Sequence, residues 1–381
     1  MMSMKKLKLS IIILLVFSLF GCYPTTVIDN GSSDNSDSDN EPEPVIVLDR
    51  AQEILATMSI EEKIGQMFFV RCYAETAIAD LATYHFGGFI LFGDNVKDIT
   101  SDELITTIAS FQTASNIALL IGVDEEGGVV NRLSIYPQYR SEPFKSAQDL
   151  YAEGGWDMIT SDTTEKNAFL KNLGINVNLA PVADVSTDTS DYIYKRSFGM
   201  EAYDTAKYVT TVVTQMNADD IGSVLKHFPG YGNNIDTHND IAVDQRNYDT
   251  FVESDFLPFM AGIKAGVGAI LVSHTIVNCM DAENPASLSS KVHQILRDDL
   301  NFDGVIMTDD LKMKAIRDRY GDEASAIQAV LAGNDMIIST YYDVQIPAVI
   351  NAYYQGDITE DQINSSVLRI LNWKLDLGII K

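Results

Sequence analysis

Gly222-Ser-Val-Leu-Lys-His-Phe-Pro-Gly-Tyr-Gly-Asn-Asn-Ile-Asp-Thr-His238 starts as a short apolar run and ends as a polar stretch punctuated by Pro and Gly. The run over 222–225 is too short for a helix and reads as a buried strand. Pro229, Gly230 and Gly232 cannot prolong either regular structure, so Lys226 onward is expected to be a loop leaving the C-terminal end of that strand. Lys226, His227, Asp236 and His238 all fall on this loop. A carboxylate two residues from an imidazole on a bent segment can accept its N–H, fix its tautomer and raise its basicity, as acid–base chemistry requires. In isolation an Asp-x-His pair is more often a structural hydrogen bond. The rest of the chain decides between the two.

Working outward, the same unit recurs. Short apolar runs at 67–70, 88–92, 118–123, 177–180, 223–225, 269–272, 305–307 and 336–338 read as strands. Helical patterns lie between and around them, at 49–58, 60–65, 76–84, 102–115, 161–173, 201–218, 251–264, 290–300, 322–332, 343–354 and 359–377. Ser59 with Glu62 three residues later predicts a capped helix start. Continuous apolar strands alternating with helices imply a parallel sheet covered on both faces, joined by right-handed crossovers. Eight such units predict an α/β fold, a (β/α)8 TIM-type barrel, as a single catalytic domain over 45–381. No strand is followed by G-x-G-x-x-G, and there is no phosphate-binding P-loop.

The 381 residues are 46% hydrophobic, enough for a large core, and carry a net charge of −27. The surplus of acid argues against nucleic acid as a partner, because that surface requires a basic footprint. Three cysteines, Cys22, Cys72 and Cys279, are too few for a disulfide framework, and Cys72 and Cys279 are expected to be buried thiols beside strands. With five histidines and no H-x-H or Cys/His cluster, no metal site is expected.

Residues 1–21 have the proportions of a signal peptide: Lys5, Lys6 and Lys8, then an apolar run from Ile11 to Phe20. The run is short for a bilayer span and ends in Leu19-Phe-Gly-Cys22, a lipobox-like sequence that makes Cys22 the candidate lipidated residue; an ordinary secretory signal is the alternative. Residues 23–44 are polar, acidic and Pro-ended, an expected disordered tether reaching ~70 Å when stretched. The expected location is the bacterial cell envelope, lipid-anchored on the extracytoplasmic side of a membrane, with membrane contact through the lipid alone.

In a barrel of this kind, functional residues gather at the C-terminal ends of the strands. Asp124-Glu-Glu-Gly-Gly and Arg132 follow the third strand. Asp184 and Arg196 follow the fourth; Lys226, His227, Asp236 and His238 the fifth; His274 the sixth; Asp309 and Asp310 the seventh. A single Asp at such a junction is by default a cap, and Asp310 is read that way. The inventory suits glycoside cleavage. Asp309 is the candidate nucleophile toward an anomeric carbon, His238 polarised by Asp236 the proton donor, and the remaining charged groups a hydrogen-bonding cradle for a neutral sugar.

Asp124-Glu-Glu-Gly-Gly…Arg132, Lys195-Arg-Ser-Phe-Gly199, Lys226-His-Phe-Pro-Gly…Asp236-Thr-His238 and Gly304-Val-Ile-Met-Thr-Asp-Asp-Leu-Lys-Met313 resemble, in order, the motifs of glycoside hydrolase family 3 in its β-N-acetylglucosaminidase branch. The resemblance covers about 47–377. It implies a retaining exo-acting hydrolase that releases terminal N-acetylglucosamine through a covalent glycosyl-enzyme, with no cofactor. Asp309 would be the nucleophile, His238 the acid and then the base, and Asp236 its orienting partner. Asp124, Arg132, Arg196, Lys226 and His227 would bind the non-reducing sugar. Cell-wall muropeptides are the substrate this branch implies, with chitin oligosaccharides, broader β-glucosidase activity or phosphorolysis as alternatives. The protein is expected to act as a monomer. Tyr231 stands where the pattern commonly has His and Glu125 where it commonly has Gln; both are expected to tune aglycone or rim contacts. The second domain of longer relatives is expected to be absent.

Overall fold

The computed structural model of the chain describes residues 49–234 and 242–381. Eight parallel strands lie at Phe68–Arg71, Gly88–Leu91, Leu120–Val123, Val177–Asn178, Gly222–Phe228, Ala269–Val272, Val305–Thr308 and Ile337–Ser339. The first seven pair in sequence order, and the last pairs with the first, Phe69 opposite Ile338. The remaining seam, between the seventh and eighth strands, closes through a parallel bridge of Met307 with Met336 and the Thr308 N–H to Met336 carbonyl bond of 3.1 Å. The predicted (β/α)8 barrel is therefore the fold.

The strands are buried on both faces: Phe68, Phe69, Val224, Ile270 and Ile306 are fully buried. Gly122 has no side chain because Phe69 occupies that space: a Cβ there would lie 2.4 Å from the Phe69 ring. Helices cover the outside. Ile60–Gln66 begins with the predicted capping box, Ser59 N–H to Glu62 at 2.9 Å and Glu62 N–H to Ser59 at 3.2 Å.

All eight predicted strands are present, with one difference that bears on the site. The fifth runs to Phe228, so Lys226 and His227 are strand residues, not loop residues. The cause is pairing on both sides: Ala183 N–H donates to the Lys226 carbonyl at 2.8 Å, and Phe228 pairs with Val272. The loop starts at Pro229. The helix expected at 161–173 is Ala147–Asn172, started by the Ser146 cap and bent at Gly154–Gly155. A parallel pair, Val243–Asp244 with Ile276–Val277, lies outside the eight-stranded sheet.

Cys72 is buried, and burial pushes its thiol up to about 12. Cys279 is exposed, contrary to expectation, because it follows the short strand Ile276–Val277 in a surface turn. The leader, Cys22 and the tether lie outside the described residues.

Candidate active site

Asp124 and Glu126 follow the third strand. Lys226, on the fifth, places its ammonium 2.7 Å from Asp124 Oδ1 and 2.6 Å from Glu126 Oε1. Arg196 grips Glu126 with two parallel bonds, Nε to Oε2 at 3.0 Å and Nη2 to Oε1 at 2.7 Å. The Lys226 and Glu126 side chains are 3% and 4% exposed, a burial that charged groups tolerate only when paired. Burial alone would raise the Glu126 carboxyl, yet the Lys226 ammonium and the Arg196 guanidinium hold it well below the usual carboxylate range. These side chains form a rigid chain of alternating charge, pre-organised for a hydroxyl-bearing ligand. Arg132 extends it, with Nη2 3.9 Å from Asp124 Oδ2.

Glu125 points the other way. It is fully buried and accepts the backbone N–H groups of Arg132, Leu133 and Ser134 at 2.9, 2.9 and 3.1 Å, together with the Ser134 hydroxyl. The expected rim role of Glu125 is therefore corrected: it ties down the loop that carries Arg132.

His227 Nδ1 lies 2.7 Å from Asp184 Oδ2, and its Nε2 lies 3.3 Å from Arg196 Nη2. A carboxylate only accepts and a guanidinium only donates, so the contacts fit Nδ1 as the donor to Asp184 and Nε2 as the acceptor from Arg196. Asp184 also accepts the backbone N–H groups of His227 and Tyr231, at 3.1 and 2.8 Å. Tyr231 is buried, with its ring packed on those of His227 and Tyr192, so it supports the site from behind instead of shaping the rim.

Asp309 follows the seventh strand. Its N–H donates to the Val272 carbonyl at 3.2 Å, and its Oδ1 accepts the Asp310 N–H at 2.8 Å. Asp310 behaves as the turn cap it was expected to be, accepting from Lys312 N–H at 3.0 Å and from the Thr340 hydroxyl at 2.6 Å; burial raises its carboxyl above the ordinary range. His274 is buried beneath this turn, with Nε2 3.1 Å from the Asp310 carbonyl and Nδ1 2.7 Å from the Ser287 hydroxyl, a supporting role for the turn beside Asp309.

Asp124, Arg132, Arg196, Lys226, His227 and Asp309 all line one cavity of about 680 Å³. Its volume is that of a small-molecule site. Tyr192 and Val129, both exposed, stand at its mouth. Asp236 and His238 lie outside the described residues. Among the described residues, no group of three or more His, Cys, Asp or Glu side chains is placed to hold a metal ion. Sequence reasoning did not single out Glu126, and placed Asp184 only among the cradle groups without its hold on His227. The signal for Glu126 was its spacing of two from Asp124, which lets both carboxylates meet one lysine while Glu125 turns inward.

The family model described as the glycosyl hydrolase family 3 N terminal domain matches residues 59–373. The chain is 28% identical over 334 residues to the β-hexosaminidase LpqI of Mycobacterium tuberculosis, covering 84% of each chain. It is 33% identical over 258 residues to a β-hexosaminidase of Nitrosomonas eutropha, covering 66% of this chain and 73% of that one. Among solved structures, it superposes on a family 3 β-N-acetylglucosaminidase from Paenibacillus sp. with a TM-score of 0.79 at 29% identity, covering 84% of this chain but only 63% of that one. M. tuberculosis LpqI superposes with a TM-score of 0.76 at 28% identity, covering 84% and 95%.

Proposed function

This chain belongs to glycoside hydrolase family 3, and from that premise we propose that it is a retaining exo-β-N-acetylglucosaminidase. The observation that carries the reading is the convergence on one cavity of Asp309 and the Asp124–Lys226–Glu126–Arg196–His227 network. The network offers a fixed set of donors and acceptors to the hydroxyls of a terminal sugar, and Asp309, on the same cavity, is the carboxylate assigned to attack it.

In the first step an Asp309 oxygen bonds to the anomeric carbon as the bond to the leaving oxygen breaks. His238 gives that oxygen a proton, with Asp236 accepting the opposite N–H of the ring. In the second step His238 takes a proton from water, the water oxygen bonds to the anomeric carbon, and Asp309 leaves. A half-buried, hydrogen-bonded position just past the strand end suits the nucleophile because it holds the carboxylate in one orientation.

The relatives' β-hexosaminidase names support terminal β-linked N-acetylglucosamine as the sugar cleaved. The substrate we propose is a cell-wall muropeptide. The leader over 1–21, Cys22 and the acidic stretch over 23–44 support tethering by lipid on the extracytoplasmic side of a membrane. The test is hydrolysis of paired aryl β-N-acetylglucosaminide and aryl β-glucoside substrates, with and without phosphate. Preference for the acetamido sugar and indifference to phosphate are expected. Preference for glucose overturns the sugar assignment, and a requirement for phosphate, with a sugar phosphate as product, overturns hydrolysis.

A further inference from the structure

Residues 235–241 carry the proposed acid–base pair, and the chain on either side of them converges on one side chain. Arg246 Nε and Nη2 bind Asp244 at 3.0 and 2.8 Å, and Nη1 binds both oxygens of Asp255 at 2.9 and 3.0 Å. Nη2 also donates to the Gly230 carbonyl at 3.2 Å. Asn234 joins from the outgoing side, its amide 2.8 Å from Asp244 Oδ2 and 2.8 Å from the Tyr231 carbonyl. Asp244 and Asp255 are both 2% exposed. On one side of the stretch, Gly230, Tyr231 and Asn234 are thus tied to Asp244 and Arg246 on the other. Asp255, at the start of the following helix, anchors the assembly.

The glycines of the loop are shaped to this clamp. Gly230 and Gly232 have φ of +129° and +55°, which glycine adopts without strain. A Cβ on Gly230 would lie 2.2 Å from Asp255 Oδ1, and one on Gly232 would lie 2.6 Å from Arg246 Cζ. The backbone therefore sits directly on the guanidinium and its carboxylates. Arg246 is not among the residues that line the cavity; its contacts are with the loop and its two carboxylates.

We propose that Arg246 is the positioning residue of the acid–base loop, fixing both of its ends through Asp244, Asp255 and Gly230 so that His238 meets the leaving-group oxygen. The inference rests on the role given to His238 above. Lysine at 246 keeps the charge but loses the planar fork that reaches three partners at once.

The experiment uses the whole chain and two substrates. N,N′-diacetylchitobiose has an alcohol leaving group that must be protonated; 2,4-dinitrophenyl β-N-acetylglucosaminide has one that need not be. Wild type, Arg246→Lys, Gly232→Ala and His238→Ala are compared. Expected for Arg246→Lys and Gly232→Ala is a fall in kcat/KM of about 10-fold or more on the disaccharide, within the range that acid–base groups supply, with a much smaller fall on the dinitrophenyl glycoside. Added azide should raise kcat on the latter and yield the glycosyl azide, because azide displaces Asp309 from the anomeric carbon without losing a proton. A loss of general packing would lower both substrates alike and leave azide without effect. That result, or wild-type kinetics in both variants, overturns the proposal. Gly232→Ala perturbs the clamp without removing its charge, so the question stays decidable if Arg246→Lys folds poorly. If His238→Ala itself fails to split the substrates, the acid–base reading falls and this inference with it. If His238→Ala splits them and the clamp variants do not, only the inference falls.

Discussion

Asp184 Oδ2 sits 2.7 Å from Nδ1 of His227 and 3.1 Å from the backbone nitrogen of the same residue, so a single carboxylate oxygen fixes both the ring and the chain that bears it. With Arg196 facing Nε2, both ring nitrogens are engaged within the network and the imidazole is held in one orientation as part of the cavity wall.

Asp184→Asn tests this directly. An amide has one acceptor oxygen, whereas Asp184 uses both of its own, so an NH2 group must face either the Tyr231 N–H or the His227 donors. Leaving a buried donor unmet costs about 1–3 kcal/mol. The expected outcome is a KM raised about 10-fold or more, a smaller change in kcat, and a lowered Tm. Steady-state kinetics on an aryl N-acetylglucosaminide and a thermal melt check it. Wild-type KM would mean that His227 does not meet the sugar.

Asp309 and Asp310 are neighbours with different surroundings, and the two should separate cleanly on mutation. Asp309→Ala is expected to lower kcat by at least about 10³-fold, since no other carboxylate is assigned to form the covalent intermediate. Asp310→Asn should act mainly on stability, through the Thr340 and Lys312 bonds of the turn. Mass spectrometry after reaction with a 5-fluoro or 2-deoxy-2-fluoro glycoside should place the label on the peptide containing Asp309. Near-normal turnover in Asp309→Ala would remove it from the mechanism.

The barrel was legible because its strands are continuous apolar runs bounded by polar junctions, a pattern of local origin. The end of the fifth strand was not. Lys226 and His227 look like loop residues by composition, and only pairing with Ala183 and the sixth strand makes them part of the sheet. The same limit explains Glu125 and Tyr231. Each sits in a motif full of polar residues, and which member turns inward depends on what the neighbouring loop presents: three N–H groups for Glu125, and the Val182–Ile193 pocket for Tyr231. Arg246 lies outside the motifs, just past the one that ends at His238, and only its contacts with Gly230 and Asp255 mark it out.

Asp236→Asn and His238→Ala should differ in kind. Removing the imidazole abolishes proton donation, so alkyl and sugar leaving groups should suffer by about 10²–10⁴-fold and dinitrophenyl glycosides far less. Replacing Asp236 with Asn leaves the imidazole in place but removes the negative charge beside its second N–H, leaving at most a neutral amide oxygen to accept it. The expected effect is a lower kcat at nearly constant KM and, because a general acid is lost as pH rises, an alkaline-limb pKa in the pH profile of kcat/KM displaced downward. An Asp236→Asn enzyme with the wild-type pH profile would dissolve the dyad.

Far from the cavity, Lys374 is fully buried in the helix Glu360–Asp376, its ammonium 2.7 Å from the Gln66 side-chain oxygen. Desolvation lowers its pKa from the ordinary 10.5 to about 7. Between those values the unfolded chain holds a proton that the folded chain has released, so stability rises with pH across that window; below about pH 7 the cost of burying the charge is complete. Lys374→Met removes the titration while keeping most of the volume, although the Gln66 oxygen then loses its donor. Its stability relative to wild type should therefore be most favourable near pH 6 and decline by about 3 kcal/mol by pH 9.5, at about 1.4 kcal/mol per pH unit. Urea unfolding of both proteins at the two pH values measures this. A difference in stability that stays constant over that range would mean that Lys374 does not titrate between neutrality and its ordinary value.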